Sequence, residues 1–310
     1  VFIVHKPHRA AMTAEDTARA LLARAQRRTF TLPDRGVSLA ALCWGSRGPV
    51  VLLHHANGFS KGAWALVAEA LQTRWRLIAI DARGHGDSTK PTGAEAYEWD
   101  HFALDLVAVA EQLCAEAGHS IALGIGHSFG GTSMIGAAAR RGDLFERLLL
   151  VDPVIPPSPD AHQMGERPEY LERLVNGARG RRSHWPSRAA ARAWCAERTL
   201  FAAWRPEAIE LYLLDAMEER ADGSLSLKCP GAIEGAVFGG SLRLDLPALA
   251  RRVRTPARFL WAARGYFSRA MYEAIAASMA SAAIHDVEAG HLVPMEEPEL
   301  VAAAALECLG

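Results

Sequence analysis

Ser128 lies at the centre of "LGIGHSFGGTS", within the spacing Gly126-His127-Ser128-Phe129-Gly130. A serine hydroxyl is a weak nucleophile unless a base takes its proton. The apolar run "SIALGIG" (120–126) reads as a strand and "GGTSMIGAAARR" (130–141) as a helix. Ser128 then falls on the sharp turn between them, and Gly126 and Gly130 provide the small side chains that let strand and helix approach. Such a turn lifts the hydroxyl above the C-terminal edge of a sheet, where open α/β sheets bind ligands. The first helical amide, that of Phe129, points to where an oxyanion would form. The chemistry suggested is attack on an acyl carbon. It requires a base, an acid and a second oxyanion donor from elsewhere in the chain.

The elements that position Ser128 alternate along the sequence. "PVVLLHH" (49–55), "WRLIAID" (75–81) and "FERLLLVDP" (145–153) read as strands, with helices at 61–72 and 99–118. The pattern implies parallel βαβ units, and the near-continuous apolar strands imply a sheet covered on both faces. After the prolines of "DPVIPPSPD", about ninety residues show helical patches and no convincing buried strand. Strand–helix alternation resumes with "TPARFLWAARG" (255–265), a helix near 268–280, "AAIHDVE" (282–288) and a last helix at 296–309. Before the sheet, Thr13 and Asp16 open a short amphipathic helix over 13–28, followed by a hairpin. That helix could pack on the body or on a second subunit, giving a possible homodimer. The expected organisation is an N-terminal helical extension (1–28), a core (29–153 and 249–310) and a helical insertion (154–248).

Bulk composition excludes several classes. The 310 residues are half hydrophobic, and 34 basic against 35 acidic residues leave a net charge of −1, so nucleic acid is not an expected partner. No apolar run reaches the roughly 18 residues of a membrane span. The opening "VFIVHKPHRA" has too short an apolar run to read as a signal peptide. The cysteines at 43, 114, 195, 229 and 308 are odd in number and widely spaced, without Cys-x-x-Cys. They read as buried thiols of a cytoplasmic protein. The basic "GARGRRSHW" (177–185) reads as a solvated turn.

Taken together, these segments resemble the α/β-hydrolase superfamily over nearly the whole chain. The resemblance implies a mostly parallel eight-stranded sheet flanked by helices, with the insertion as a helical lid after the sixth strand. "LLHHANGF" (52–59) is similar to the family's oxyanion loop, which makes the Asn57 amide the second oxyanion donor. "DARGHGDS" (81–88) resembles a structural turn of the family. "EAGHLVPMEEPE" (288–299) resembles the loop that carries the family's histidine, which makes His291 the base. The chain order nucleophile, acid, histidine agrees with that assignment.

The acid departs from the family pattern. Its usual place, after the seventh strand, holds Gly265, and no Asp or Glu occurs between Asp245 and Glu273. Some members carry the acid after the sixth strand, where this chain has Asp152. Asp286, Glu288, Asp215, Glu218 and a dyad without an acid are the alternatives. The histidines at 54, 55, 85 and 127 are expected to line the pocket or serve the structure; they lack His-Glu-x-x-His spacing, so no metal is expected, and no cofactor either. Trp204 and Tyr212, with Trp185, Trp194, Phe201 and Met217, offer the insertion an apolar pocket.

A serine at this turn suits acyl carbon rather than the alkyl carbon that a carboxylate nucleophile attacks. Esters and lactones are the default small-molecule substrates. C–C hydrolysis, a lyase reaction on the same nucleophile, or a non-catalytic interaction module are the other readings.

Overall fold

The computed structural model describes residues 12–156 and 168–310. The opening eleven residues and the proline-rich stretch beyond Pro156 therefore lie outside the described residues. Helix α1 (Ala14–Ala23) starts on the expected capping box, Thr13 and Asp16 each accepting the other's backbone N–H. Strands β1 (Gln26–Leu32) and β2 (Val37–Trp44) form the hairpin, turning through Gly36 at φ +65. Then come β3 (Val50–His54), α2 (Ala65–Leu71), β4 (Arg76–Ile80), α3 (Trp99–Ala117), β5 (Leu123–His127), α4 (Phe129–Arg141) and β6 (Leu148–Val151).

The insertion follows, with α5 (Glu169–Gly180), β7 (His184–Trp185), α6 (Arg188–Ala196), α7 (Pro206–Asp215), β8 (Met217–Glu219), β9 (Leu225–Leu227), α8 (Gly231–Gly240) and α9 (Leu246–Ala250). The chain closes with β10 (Ala257–Arg264), α10 (Arg269–Ser278), β11 (Ala282–Gly290), α11 (Val293–Glu296) and α12 (Pro298–Leu309).

Eight strands pair in the order β1-β2-β4-β3-β5-β6-β10-β11, antiparallel at β1–β2 and β2–β4 and parallel elsewhere. Side chains alternate between two cores, as a doubly covered sheet requires. Val50 and Leu52 face α3 and α4, whereas Val51 and Leu53 face α2 and α12. The mostly parallel eight-stranded sheet is thus the fold expected from the sequence.

Two details differ from the sequence reading. The insertion is not purely helical, because β7, β9 and β8 form a small antiparallel sheet. These strands are only two or three residues long, too short to show a period of 2. At the other end, β1 begins at Gln26, so the boundary expected at residue 28 falls inside a strand. Helix α1 spends its apolar face within the chain: Ala18 and Leu21 are buried beside α2, and Arg192 of the insertion reaches Glu15.

A buried ion cluster ties insertion to core. The Lys61 ammonium meets Asp81 at 2.6 Å, Asp87 at 2.8 Å and Asp215, at the end of α7, at 3.3 Å. Three carboxylates around it hold the ammonium's pKa above its ordinary value, although burial alone would lower it. This arrangement accounts for "DARGHGDS". Asp81 also accepts the backbone N–H groups of Lys61 and Asp87, and Gly86 leaves no room for a side chain against its carboxylate.

Candidate active site

Ser128 joins β5 to α4 with φ 56 and ψ −125, a left-handed conformation that few non-glycine residues adopt. The turn is held by its neighbours. A Cβ on Gly126 would come 2.6 Å from the Gly131 Cα, and one on Gly130 would come 2.5 Å from the carbonyl oxygens of His54 and His55. Both glycines are therefore set by close approach of backbone, and the strain at Ser128 is sustained by the packing around it.

The Ser128 hydroxyl donates to His291 Nε2 at 2.8 Å, and His291 Nδ1 donates to Asp152 Oδ2 at 2.6 Å. A carboxylate that accepts from Nδ1 fixes the tautomer with a free lone pair on Nε2, the form a base needs. Asp152 is fully buried and, like Ser128, has a positive φ, 39. Its Oδ1 accepts from the Ala262 amide at 3.1 Å and from the Tyr272 hydroxyl at 2.9 Å. Burial, and then the neighbouring Asp152 carboxylate, push the Tyr272 phenol above its ordinary pKa, so it stays a donor.

Gly265 accounts for the departure at the family's usual acid position. A Cβ there would stand 2.8 Å from Asp152 Oδ2. The carboxylate from the end of β6 fills the space that a side chain after β10 would use. The other acid candidates point elsewhere. Asp286 pairs with Arg269, Asp215 accepts from the Gly62 amide, and Glu218 lies exposed on β8. Glu288 makes no hydrogen bond or ion pair with His291 among the described residues.

Glu296, which the sequence reading passed over, brackets His291. Its two carboxylate oxygens accept from the amides of Gly290 (2.6 Å) and Leu292 (3.2 Å), the residues on either side. The acidic pair after "HLVPM" was the available signal, because a carboxylate five residues on can fold back to a turn. Tyr272 gave no signal beyond a helical position in α10.

The four buried histidines at 54, 55, 85 and 127 are neutral and structural. His127 donates from Nε2 to the His291 carbonyl at 2.8 Å, and burial lowers its pKa to about 3. His55 donates from Nδ1 to the Ala56 carbonyl at 2.7 Å and accepts the Ala82 amide on Nε2 at 3.0 Å. Both are expected in the substrate pocket; each is 1% exposed, His55 with both ring nitrogens on backbone and His127 with Nε2 on the His291 carbonyl. His54 and His85, lowered by burial to about 4 and about 3, complete the set. His85 Nε2 accepts the Gly58 amide at 3.1 Å, which shapes the loop after β3.

That loop brings Asn57 beside the elbow. Among the described residues, the amides of Asn57 and Phe129 have no hydrogen-bond acceptor. The Asn57 side chain is occupied, donating from Nδ2 to the Glu234 carbonyl at 3.1 Å. Trp204 and Tyr212 are buried in the insertion's own core, their rings 5.6 and 5.8 Å from Phe59, and this core extends to Leu292 and Met295 beyond His291. Tyr266 and Phe267 flank the His291 ring at 5.2 and 6.0 Å, and Tyr266 is 76% exposed. No cluster of metal-ligating side chains occurs among the described residues. No helix there is long and apolar enough to cross a membrane.

Comparison with known proteins agrees with this fold. A profile described as alpha/beta hydrolase family matches residues 50–304. Protein phosphatase methylesterase 1 of Mus musculus is 38% identical over 97 residues, 31% of this chain and 25% of that protein. The bifunctional esterase/perhydrolase DCH of Acinetobacter calcoaceticus is 34% identical over 124 residues, 39% of this chain and 43% of that protein. The matches thus span between a quarter and less than half of those relatives' length. Among solved structures, that of E-2-(acetamidomethylene)succinate hydrolase superposes with a TM-score of 0.75 at 24% identity, covering 92% of this chain and 99% of the other.

Proposed function

The chain belongs to the alpha/beta hydrolase family, and we propose that it is a serine hydrolase cleaving a carboxylic ester or lactone through an acyl-enzyme. Ser128 is the nucleophile, His291 the general base and acid, and Asp152 the carboxylate behind it. The observation that supports this reading is the unbroken line from Ser128 Oγ to His291 Nε2 (2.8 Å) and from His291 Nδ1 to Asp152 Oδ2 (2.6 Å). The relatives named for ester chemistry point the same way.

In this mechanism His291 Nε2 takes the Ser128 proton as Oγ attacks the carbonyl carbon. The carbonyl π pair moves onto oxygen, where the amides of Phe129 and Asn57 receive it. Asp152 stabilises the imidazolium and keeps its proton on Nδ1. Collapse of the intermediate breaks the C–O bond, and His291 returns the proton to the leaving alkoxide. Water, deprotonated by His291, then attacks the acyl-Ser128 ester, and a second collapse releases the acid.

Turnover of p-nitrophenyl acetate by the wild-type protein and Ser128→Ala tests the reading. Loss of at least a thousandfold in kcat/KM is expected, because the residual rate of a serine hydrolase lacking its nucleophile is on the order of a thousandth or less. A fluorophosphonate probe should label the wild type at Ser128 alone. Equal turnover by the two proteins refutes the proposal.

A further inference from the structure

Arg181 was expected in a solvated turn, and the structure places it elsewhere. It follows α5 and reaches inward, with Nη1 donating to Glu234 Oε2 and Nη2 donating to the Tyr212 hydroxyl at 2.7 Å. A charge run read from composition alone could not reveal a partner 53 residues away.

Glu234, on α8, stands over the oxyanion loop. Its Oε1 would be 2.8 Å from a Cβ on Gly58, and its carbonyl accepts from Asn57 Nδ2. Gly58 is needed both for its φ of +82 and to leave room for this carboxylate. Chain geometry puts the carboxylate within about 10 Å of the Asn57 amide. A bare negative charge there opposes the one that develops on an oxyanion. Over about 8 Å at an effective dielectric constant of about 20, the opposition is worth on the order of thirtyfold in rate. Burial already pushes the Glu234 carboxyl up, and Arg181 is what counters it. Both partners belong to the insertion, whereas the loop they touch belongs to the core.

We propose that Arg181 is a positioning residue for the reaction at Ser128: it cancels the charge of Glu234 beside the oxyanion loop. The insertion then sets the strength of the oxyanion hole. This inference rests on the serine-hydrolase reading.

The test is a double-mutant cycle on p-nitrophenyl acetate hydrolysis with Arg181→Met, Glu234→Gln and the double variant. Above the pH at which the stranded Glu234 carboxyl ionises, Arg181→Met should lower kcat about thirtyfold with KM within about threefold, the loss shrinking as pH falls and the carboxyl takes a proton, and adding Glu234→Gln should restore at least tenfold of the high-pH loss. A double variant as slow as Arg181→Met, or a loss lying wholly in KM, overturns the proposal. Should Arg181→Met not fold, Arg181→Gln, which keeps a donor for Tyr212 without the charge, replaces it in the cycle under the same criteria. Fluorophosphonate labelling of wild-type Ser128 separates the two layers. A wild type that neither labels nor turns over sinks the serine-hydrolase reading itself. One that does, with Arg181→Met undiminished, sinks the Arg181 assignment alone.

Discussion

Replacing Asp152 by Asn probes the role of the carboxylate with little change of shape. Asp152 Oδ1 already accepts from the Ala262 amide and the Tyr272 hydroxyl, and an amide oxygen can take over both. The new NH2 group must then face His291 Nδ1. Because it is a donor, it selects the tautomer with hydrogen on Nε2, and that hydrogen points at Ser128 Oγ, 2.8 Å away. The base is already occupied when it is needed. The imidazolium also loses its carboxylate: at an effective dielectric constant of about 20 and a separation of about 4 Å, the lost attraction is about 4 kcal/mol. That corresponds to about three decades of rate. We therefore expect Asp152→Asn to lower kcat/KM for p-nitrophenyl acetate about a thousandfold, with the thermal midpoint close to wild type. A relocated acid is the control. Asp152→Gly suits the positive φ at 152, and Gly265→Asp starts its side chain 2.8 Å from the vacated oxygen position. A carboxylate oxygen lies about 2.4 Å from its own Cβ, so the new group reaches the same place. The double variant should recover at least tenfold over Asp152→Gly alone. Asp152→Asn retaining activity within about fivefold of wild type would refute the reasoning, whatever the relocated variant does.

Two further outcomes follow from the surroundings of the triad. Tyr272→Phe removes one of the two bonds to Asp152 Oδ1 and should lower kcat by several-fold and stability by about 1–2 kcal/mol, read from steady-state kinetics and urea unfolding. Acid should destabilise the fold early. His54, His85 and His127 stay neutral in the native state down to about pH 4, 3 and 3, and His55 is lowered in the same sense. Unfolded, each takes a proton near its ordinary value of about 6.5. Their contribution is complete above that pH and drains away as pH falls toward 4, at up to about 1.4 kcal/mol per pH unit for each ring, or about 4 for the three with stated values. The urea midpoint should fall steeply between pH 6 and 4.5; a flat midpoint there would contradict the neutral assignments.

Local pattern made the sheet and the elbow readable. Val50–His54 and Leu123–His127 are unbroken apolar runs because both faces of the sheet are covered, and the glycines around Ser128 mark backbone contact. Asp152 was readable only against the family pattern, since its partner lies 139 residues away. What stayed hidden depends on tertiary partners. Arg181 looks like any surface arginine until Glu234 is beside it. Tyr272 looks like a core tyrosine, and the histidines of the β3 loop could as well have faced a ligand. The short strands of the insertion are fixed by each other rather than by their own sequence.

The placement of the carboxylate on β6 has a consequence for the turn after β10. From Gly265 to Ser268, that turn carries no group of the proposed proton transfer, yet it sets the exposed Tyr266 ring beside His291. In a chain with its acid at position 265, any drift in this turn endangers the rate. Here the turn can vary while Asp152 stays anchored to Ala262 and Tyr272. On the proposed mechanism, exchanging side chains at 266–268 should retune selectivity among substrates with little penalty to turnover.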